Sequence, residues 1–252
     1  MKILLSNDDG VHAEGLRVLA EALYGEHTLC VSAPDRERSA VSRSMTLFSP
    51  LRARACTLPG LPDVRACAVT GTPVDCVRLG VGNLFGRPDM LLSGINHGGN
   101  LGTDTLYSGT VAAAHEAALL GIQAAAISCC SHAPKHLETA AIYARRALRY
   151  LSAHPLPVGG LLNVNVPDLP PEEIRGVKLA PVGIEEYALS YVEREDPVGV
   201  PYYWAPRGRL TDAAGQDVDV RWVQEGYVVF TPLTYDLTDR ASLASMREAE
   251  LD

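Results

Sequence analysis

The sequence lacks the features that would place this chain in a membrane or on nucleic acid. Within its 252 residues, no apolar run approaches the roughly 20 residues of a transmembrane helix. The formal net charge of -8 leaves no excess of basic residues for a nucleic-acid polymer. The N-terminus has no basic segment followed by a hydrophobic run and a cleavage site. We therefore expect a cytoplasmic protein that binds neither a membrane nor a nucleic-acid polymer.

Cysteines are few and scattered, which is not the pattern of a disulfide framework. There are six, mostly inside apolar runs, and no CxxC pair occurs, so we expect reduced, buried thiols. One cluster, made of Cys129, Cys130, His132 and His136, has residue types that could hold zinc. Zinc is disfavoured there because the adjacent cysteines end a predicted strand, where they point to opposite faces, and because Pro134 interrupts the segment.

Apolar runs alternate with helical patterns over the first two thirds of the chain. Hydrophobic residues make up 47% and charged residues 21%, as in globular proteins. The patterns predict strands at 2–6, 28–33, 64–70, 89–93, 123–128 and 161–166, and helices at 13–25, 73–84, 110–121 and 135–153. Such alternation predicts an α/β fold, a three-layer α/β/α sandwich around a mostly parallel, Rossmann-like sheet.

The rhythm of strands and helices stops near residue 170. We predict one domain overall, with residues 1–170 forming the core that carries the site and residues 171–252 forming a C-terminal extension. In this extension, 218–223 and 226–230 resemble two strands of a hairpin, and 239–249 resembles an amphipathic helix. We expect the extension to pack on the core or on another subunit.

Two adjacent carboxylates, Asp8 and Asp9, follow the first predicted strand. Gly10 permits a sharp turn after them, so the pair lies at the carboxyl end of a strand, where open α/β sheets bind their ligands. Neighbouring carboxylates repel each other and lose hydration unless a cation joins them. The pair therefore indicates a divalent metal site. The alternative is that both aspartates cap the first helix or lie solvated in a turn.

Two further loops after predicted strands are rich in polar groups. Residues 33–44 contain hydroxyl and guanidinium groups, among them Ser39, that suit a metal or a phosphate, although charge-dense runs are more often solvated surface loops. The glycine-rich loop at residues 93–102 offers Asn96 and Asn100, and its glycines let backbone amides approach an anion. Its spacing matches neither the dinucleotide fingerprint nor the P-loop.

Ser108, Gly109 and Thr110 open the predicted helix at 110–121. Free amides at a helix start, joined by two hydroxyls, form a cradle for phosphate, although an ordinary N-cap would look the same. Because a parallel sheet brings such loops to one edge, one cleft could collect side chains from all of them, namely Asp8, Asp9, Ser39, Asn96 and Ser108.

Seven short motifs are spread in order over nearly the whole chain. They are Asn7-Asp8-Asp9-Gly10, Ala33-Pro34-Asp35-Arg36 with Ser39 and Ser42, Gly71-Thr72-Pro73-Val74-Asp75-Cys76-Val77, Ser93-Gly94-Ile95-Asn96 with Gly98 and Asn100, Tyr107-Ser108-Gly109-Thr110-Val111, Asn163-Val164-Asn165-Val166-Pro167 and Thr231-Pro232-Leu233. Together they resemble the motifs of the survival protein E (SurE) nucleotidases. One departure is Ala40, where the family usually has glycine.

The resemblance implies a metal-dependent phosphomonoesterase that hydrolyses nucleoside 5′- and 3′-monophosphates to nucleoside and phosphate by metal-activated water. Short polyphosphate is a possible side substrate of such enzymes. The resemblance also implies a homodimer or homotetramer, in which the C-terminal segment reaches a neighbour. Base preference, the physiological metal and the physiological role do not follow from it.

The resemblance further implies one divalent metal ion per subunit, held by Asp8, Asp9, Ser39 and Asn96. Oxygen ligands of this kind favour Mg²⁺ or Mn²⁺ over zinc. From the residues themselves we predict that the phosphate oxygens are bound by donors at Asn100, Ser108, Gly109 and Thr110. The sequence identifies no general base; Asp8 and Asp9 are the candidates.

The scarcity of lysine counts against one rival function. A signalling receiver module also has an acidic pair after its first strand, but it needs a lysine after a late strand, and the three lysines, Lys2, Lys135 and Lys178, do not fit. Phosphatases with an aspartyl nucleophile need Asp-x-Asp, whereas the two aspartates here are adjacent. A nucleotide-binding protein without turnover is the alternative that the sequence leaves open.

Overall fold

The computed structural model describes residues 1–184, 190–205 and 215–248. Eleven strands are described, namely β1 (Lys2–Ser6), β2 (Thr28–Pro34), β3 (Ala53–Leu58), β4 (Leu61–Val69), β5 (Met90–His97), β6 (Gln123–Cys129), β7 (Gly160–Val166), β8 (Val177–Leu179), β9 (Val192–Glu195), β10 (Pro201–Trp204) and β11 (Val228–Thr234). The α-helices of the described ranges are α1 (Glu14–Leu23), α2 (Pro73–Leu79), α3 (Gly109–Leu119), α4 (Leu137–Ala153), α5 (Asp219–Gln224) and α6 (Arg240–Glu248). None of these helices is long and apolar enough to cross a membrane.

Nine strands form one sheet in the order β3-β4-β2-β1-β5-β6-β7-β11-β8. The six central strands, from β4 to β7, are parallel, whereas β3 runs antiparallel to β4 and β11 runs antiparallel to β7. Strands β8 and β11 come from the predicted extension, and β11 joins the core directly through β7. The predicted division at residue 170 stays a prediction, and residues 185–189, 206–214 and 249–252 of the extension lie outside the described residues.

Helices cover both faces of the sheet because the central strands are apolar on both sides. In β1, Ile3 and Leu5 join the core beneath α1 and α4, whereas Leu4 points to the other face, into the core beneath α2 and α3. Successive strand residues alternate between the faces, and both faces are therefore buried. The predicted three-layer α/β sandwich is confirmed.

The prediction of a strand at 218–223 is wrong, because this segment forms the short helix α5. Alternating Val218 and Val220 resemble a strand, but Val220 and Val223, three residues apart, are the side chains that pack against Val229 of the sheet. Helical spacing therefore decided the local structure. The predicted hairpin at this place does not exist; the described hairpin of the extension is β9–β10, whose side chains are exposed.

Helix α3 carries a histidine in an apolar place. His115 is 1% exposed, and no described residue hydrogen-bonds either ring nitrogen. The pKa of His115 is lowered to about 4, mainly by burial and to a smaller extent by the positive charge of Arg43, because both disfavour the charged ring. The folded state therefore binds this proton more weakly than the unfolded state does.

We expect His115 to make the protein less stable in acid. The free energy of unfolding falls as the pH is lowered from about 6.5 towards about 4, because the unfolded state then binds the proton of His115 more tightly. The full decrease is about 3 kcal/mol. Urea unfolding at pH 7 and pH 4.5 measures it, and His115→Gln should lose less stability between these two pH values than the wild type. His154→Gln, which removes an exposed histidine, is the control; an equal pH response of His115→Gln and the wild type would contradict the prediction.

Candidate functional site

The site lies at the topological switch point of the sheet, where the strand order changes direction. Strand β1 has β2 on one side and β5 on the other, and the later strands β6 and β7 continue beyond β5. Loops that leave β1 and β5 therefore separate and open a crevice at their carboxyl ends, the usual ligand site of open α/β sheets. Asp8 and Asp9 follow β1, and Asn96 lies near the end of β5.

A buried asparagine shapes the turn that carries the two carboxylates. The Asn7 side chain donates to the carbonyl oxygen of Gly10 at 2.9 Å and accepts from the Gly10 N–H at 3.2 Å. Gly10 has φ +108°, a conformation that other residues rarely adopt. The carbonyl oxygen of Asp8 accepts from the N–H of Arg38 at 2.7 Å. This bond joins the turn to the loop that carries Ser39.

Asp8 lies deep in the site, with 5% of its surface exposed. Its carboxylate accepts a hydrogen bond from the hydroxyl of Thr110. Burial raises the pKa of Asp8 to about 6; the hydrogen bond from Thr110 opposes this shift, and the charge of Asp9 adds to it. A carboxylate in such a place is stabilised by any cation that approaches its free oxygen.

Asp9 is more accessible and belongs to the same crevice. Its Oδ2 accepts from the backbone N–H of His97 at 3.4 Å. Burial raises the pKa of Asp9 above its usual value, and the nearby His97 partly offsets this shift. Both carboxylates are therefore held by neighbouring elements, Asp8 by α3 and Asp9 by the end of β5.

The other two predicted metal ligands approach from the two loops. The hydroxyl of Ser39 donates to Oε1 of Glu37 at 2.6 Å, so its lone pairs stay available to a cation. The amide nitrogen of Asn96 donates to the carbonyl oxygen of Gly98 at 2.8 Å. This bond leaves the amide oxygen Oδ1 on the opposite side of the group.

A cleft of about 480 Å³ brings most of the predicted site residues together. Those that line it are Asp8, Asp9, Ser39, Asn96, Asn100 and Ser108. Gly109 and Thr110 do not line it. Thr110 nevertheless hydrogen-bonds Asp8, and Gly109 lies close to the Asp8 side chain. A phosphate contact of either residue stays a prediction, and the Thr110 hydroxyl is already engaged with Asp8.

Asn100 and Ser108 have structural partners as well as a place in the cleft. Ser108 is the N-cap of α3, and its hydroxyl oxygen accepts from the N–H of Val111 at 3.0 Å. The side-chain amide of Asn100 donates to the hydroxyl of Ser128 at 2.8 Å. Ser108 therefore places the positive end of the α3 dipole beside the cleft.

Several residues that line the cleft had no predicted role in it, among them Glu37, Asp104 and Tyr107, and also His97 and His132. Glu37 lies in the loop of residues 33–44 and holds Ser39; Asp104 and Tyr107 lie in and just after a short helical segment, Gly102–Leu106. The signal for Glu37 is its position two residues before Ser39 in a loop already marked as functional. No motif or periodic pattern marks Asp104, which lies between the glycine-rich loop and the predicted helix at 110–121.

Charge in the cleft is strongly one-sided. Among the described residues, four carboxylates line it (Asp8, Asp9, Glu37 and Asp104); its basic side chains are two histidines, His97 and His132, and no lysine or arginine lines it. Four negative charges in a crevice repel an anionic ligand unless a cation is present. Oxygen donors of Asp8, Asp9, Ser39 and Asn96 are the kind that a hard divalent cation selects. The residues present therefore fit such an ion.

The cysteine cluster offers a poor zinc site. Sγ of Cys129 is buried and lies 3.8 Å from Oδ1 of Asp168, and Sγ of Cys130 lies 3.8 Å from Oδ1 of Asn165. Burial raises the pKa of Cys129 to about 12, which disfavours the thiolate that zinc needs. Within the described ranges, no three His, Cys, Asp or Glu side chains are grouped to hold a metal ion. The oxygen-donor set in the cleft contains only two such side chains, Asp8 and Asp9, and its other members are Ser39 and Asn96.

Comparison with known proteins decides the family. The family model described as "Survival protein SurE" matches residues 3–189. The chain belongs to the SurE family. The sequence-based resemblance is confirmed. Four of the motifs that carry it, at residues 7–10, 33–42, 93–100 and 107–111, contribute residues to the lining of the cleft.

Two SurE relatives and one SurE structure show how far the likeness extends. A "5'-nucleotidase SurE" of Aeromonas hydrophila subsp. hydrophila is 48% identical over 98% of this chain and 97% of its own length. Another of the same description, from Gloeobacter violaceus, is 46% identical over 94% of this chain and 91% of its own length. The crystal structure of the SurE protein from Aquifex aeolicus has a TM-score of 0.83 at 36% identity, covering 98% of this chain and 99% of that one.

Proposed function

We propose that this protein is a metal-dependent phosphomonoesterase that hydrolyses nucleoside 5′- and 3′-monophosphates to nucleoside and phosphate, with a side activity on short polyphosphate. The observation that carries the metal dependence is the cleft with four carboxylates and, among the described lining residues, no lysine or arginine. The relatives named 5'-nucleotidase SurE support the 5′-monophosphates as substrates, whereas the 3′-monophosphates and polyphosphate rest on the family resemblance.

One divalent ion per subunit, Mg²⁺ or Mn²⁺, would be held by Asp8, Asp9, Ser39 and Asn96. When bound, it would neutralise the phosphate charge and lower the pKa of coordinated water. Two of these side chains are pre-oriented by their neighbours, Asp8 by the Thr110 hydroxyl and Ser39 by Glu37. Such support fixes ligand direction in metal sites.

Phosphate would be received at the N-terminus of α3. Ser108 lies at the helix cap and lines the cleft, so the positive end of the helix dipole favours an anion at this place. Of the other predicted donors, Gly109 and Thr110 are the first residues of this helix, and Asn100 lines the same cleft as Ser108. They would stabilise the charge that spreads over the phosphoryl oxygens in the transition state.

The test is phosphate release from 5′-AMP, 3′-AMP and short polyphosphate. We expect turnover with Mn²⁺ or Mg²⁺, a fall of about 100-fold or more in excess chelator, and recovery when the metal is restored. Glycerol phosphate serves as the control for a phosphatase that does not read the nucleoside. Undiminished activity in chelator would contradict the metal dependence, and tight binding of nucleotide without phosphate release would favour a nucleotide-binding protein.

We further propose that the protein assembles as a homodimer or homotetramer through its C-terminal extension. The hairpin of β9 and β10 exposes Tyr202, Tyr203 and Trp204, an aromatic surface that is typical of interfaces. Light scattering on the full chain measures the assembly state; a monomer at micromolar concentration would contradict this proposal. The cytoplasmic location expected from the sequence stays a prediction.

A further inference from the structure

Two buried asparagines on β7 belong to a sequence motif that the proposed chemistry does not use. Asn163 and Asn165 are 0% exposed, and because they are two residues apart they lie on the same face of the strand. Ser128 of β6 pairs in register with Asn165. Buried polar side chains are unfavourable unless they are hydrogen-bonded, so their partners reveal what they do.

All three side chains bind one residue of the glycine-rich loop, Asn100. Oδ1 of Asn165 accepts from the Asn100 N–H at 2.9 Å, and Nδ2 of Asn165 donates to the Asn100 carbonyl oxygen at 3.0 Å. The same carbonyl oxygen accepts from Nδ2 of Asn163 at 2.9 Å. The Asn100 side chain donates to Ser128. Side-chain amides thus satisfy the backbone of a residue that belongs to no strand.

A second anchor holds the loop two residues further on. The carboxylate of Asp219 is 0% exposed and accepts from the N–H of Gly102 at 2.9 Å. The same carboxylate accepts from the N–H groups of Gly183 and Val220, each at 2.8 Å. Asn100 and Gly102 are therefore fixed from two different elements, β7 and the start of α5.

We propose that Asn165, with Asn163 and Asp219 in support, is a positioning residue that holds the glycine-rich loop in the conformation needed by the cleft. Glycines at 98, 99 and 102 make this loop entropically costly to order. Hydrogen bonds formed before substrate arrives remove that cost from the binding and reaction steps. The inference deepens the proposed function and rests on it for its effect on turnover.

Asn165→Ala tests the proposal, with Leu151→Ala as a matched control. Leu151 is a core residue near the end of α4. The neighbouring Ser152 contacts Met1, which precedes β1, so Leu151 lies towards the amino ends of the parallel strands, whereas the cleft lies at their carboxyl ends. We expect Asn165→Ala to speed hydrogen exchange of residues 96–102 and to lower kcat by roughly 10- to 100-fold. Leu151→Ala should lose comparable thermal stability without either change.

Asn165→Asp adds a readout that a purely structural residue would not show. Its carboxylate would repel the Asn100 carbonyl oxygen, whereas the protonated acid donates a hydrogen bond as the amide does. Exchange protection of residues 96–102, corrected for intrinsic rates, should therefore recover in this variant as the pH is lowered. The wild type and Asn165→Ala should show no such recovery.

Two results would overturn the proposal. One is wild-type exchange and kcat in Asn165→Ala; the other is that Leu151→Ala reproduces both changes at equal loss of thermal stability. Hydrogen exchange needs no substrate, so it tests the positioning of the loop even if the wild type proves inactive on nucleotides. If the wild type were inactive on nucleotides but Asn165→Ala still showed faster exchange of residues 96–102, the result would contradict the proposed function and support the positioning role of Asn165.

Discussion

Asp8→Asn should abolish phosphate release from nucleoside monophosphates while the fold stays intact. The substitution keeps the shape of the side chain and its ability to accept the hydrogen bond from Thr110, but it removes a negative charge from the proposed metal site. We expect kcat/KM at saturating Mn²⁺ to fall about 1000-fold or more, since metal ligation supplies several kcal/mol of transition-state stabilisation.

Without metal, the same variant should be more stable than the wild type. Because the pKa of Asp8 is raised from 3.8 to about 6, the folded state binds this proton more tightly, and stability is lost as the pH rises through that window. At pH 7 the loss is up to about 3 kcal/mol, which asparagine avoids. Thermal unfolding in chelator measures the difference.

Mn²⁺ should reverse the order of thermal stability, so that the wild type becomes more stable than Asp8→Asn. Added metal stabilises a folded state that binds it, so the wild type should gain in unfolding temperature and Asp8→Asn should gain little. Asp63→Asn, at an exposed position of β4, is the control for loss of a surface carboxylate. If Asp8→Asn retained full activity with Mn²⁺, the assignment of the site would be wrong.

Gly109→Ala should damage the site by a steric route. A Cβ at Gly109 would lie 2.7 Å from Cβ of Asp8 and 2.8 Å from its Oδ2, distances at which something must move. Alanine is otherwise the better helix former by up to about 1 kcal/mol, but overpacking of this kind costs about 1–3 kcal/mol. We therefore expect lower stability, and a loss of Mn²⁺ affinity and of turnover of about 100-fold, because small misplacements of reacting groups have effects of this size.

The controls for Gly109→Ala separate the clash from the effect of adding a methyl group. Gly82→Ala adds the same methyl where nothing lies within 4 Å and should leave activity unchanged. In an Asp8→Gly background the side chain that collides is gone, so Gly109→Ala should cost less stability there. Calorimetric titration measures the Mn²⁺ affinity. If Gly109→Ala bound Mn²⁺ with the affinity of the wild type, the steric argument would be wrong.

The parallel core was predictable because its strands are continuous apolar runs. The edges were not. Strand β3 (Ala53–Leu58) is largely exposed and contains Arg54, so no apolar pattern marks it; its partner β4 determines its structure. Helix α5 was mistaken for a strand because Val218 and Val220 alternate with polar residues, and only contact with Val229 reveals the helical face. Tertiary packing decides such short segments.

Residues of the site were predictable where they follow a predicted strand, as Asp8, Asp9 and Asn96 do, although β5 extends past Asn96 to His97. The role of Thr110 was not, because its hydroxyl contacts Asp8 across 102 positions of the chain. The same holds for Asn165, whose bond with Asn100 joins residues 65 positions apart. A motif shows that such a residue matters to the family, but only the folded chain shows which atom it holds.

The anchors of the cleft also have a consequence for refolding. Its lining begins at Asp8, and its supports include Asn165 and Asp219, so almost the entire polypeptide must be in place before the crevice exists. Contacts of such long sequence separation form late, after the loops between them have closed. Recovery of turnover after dilution from denaturant therefore reports the final, global step of chain assembly, not the early appearance of helices.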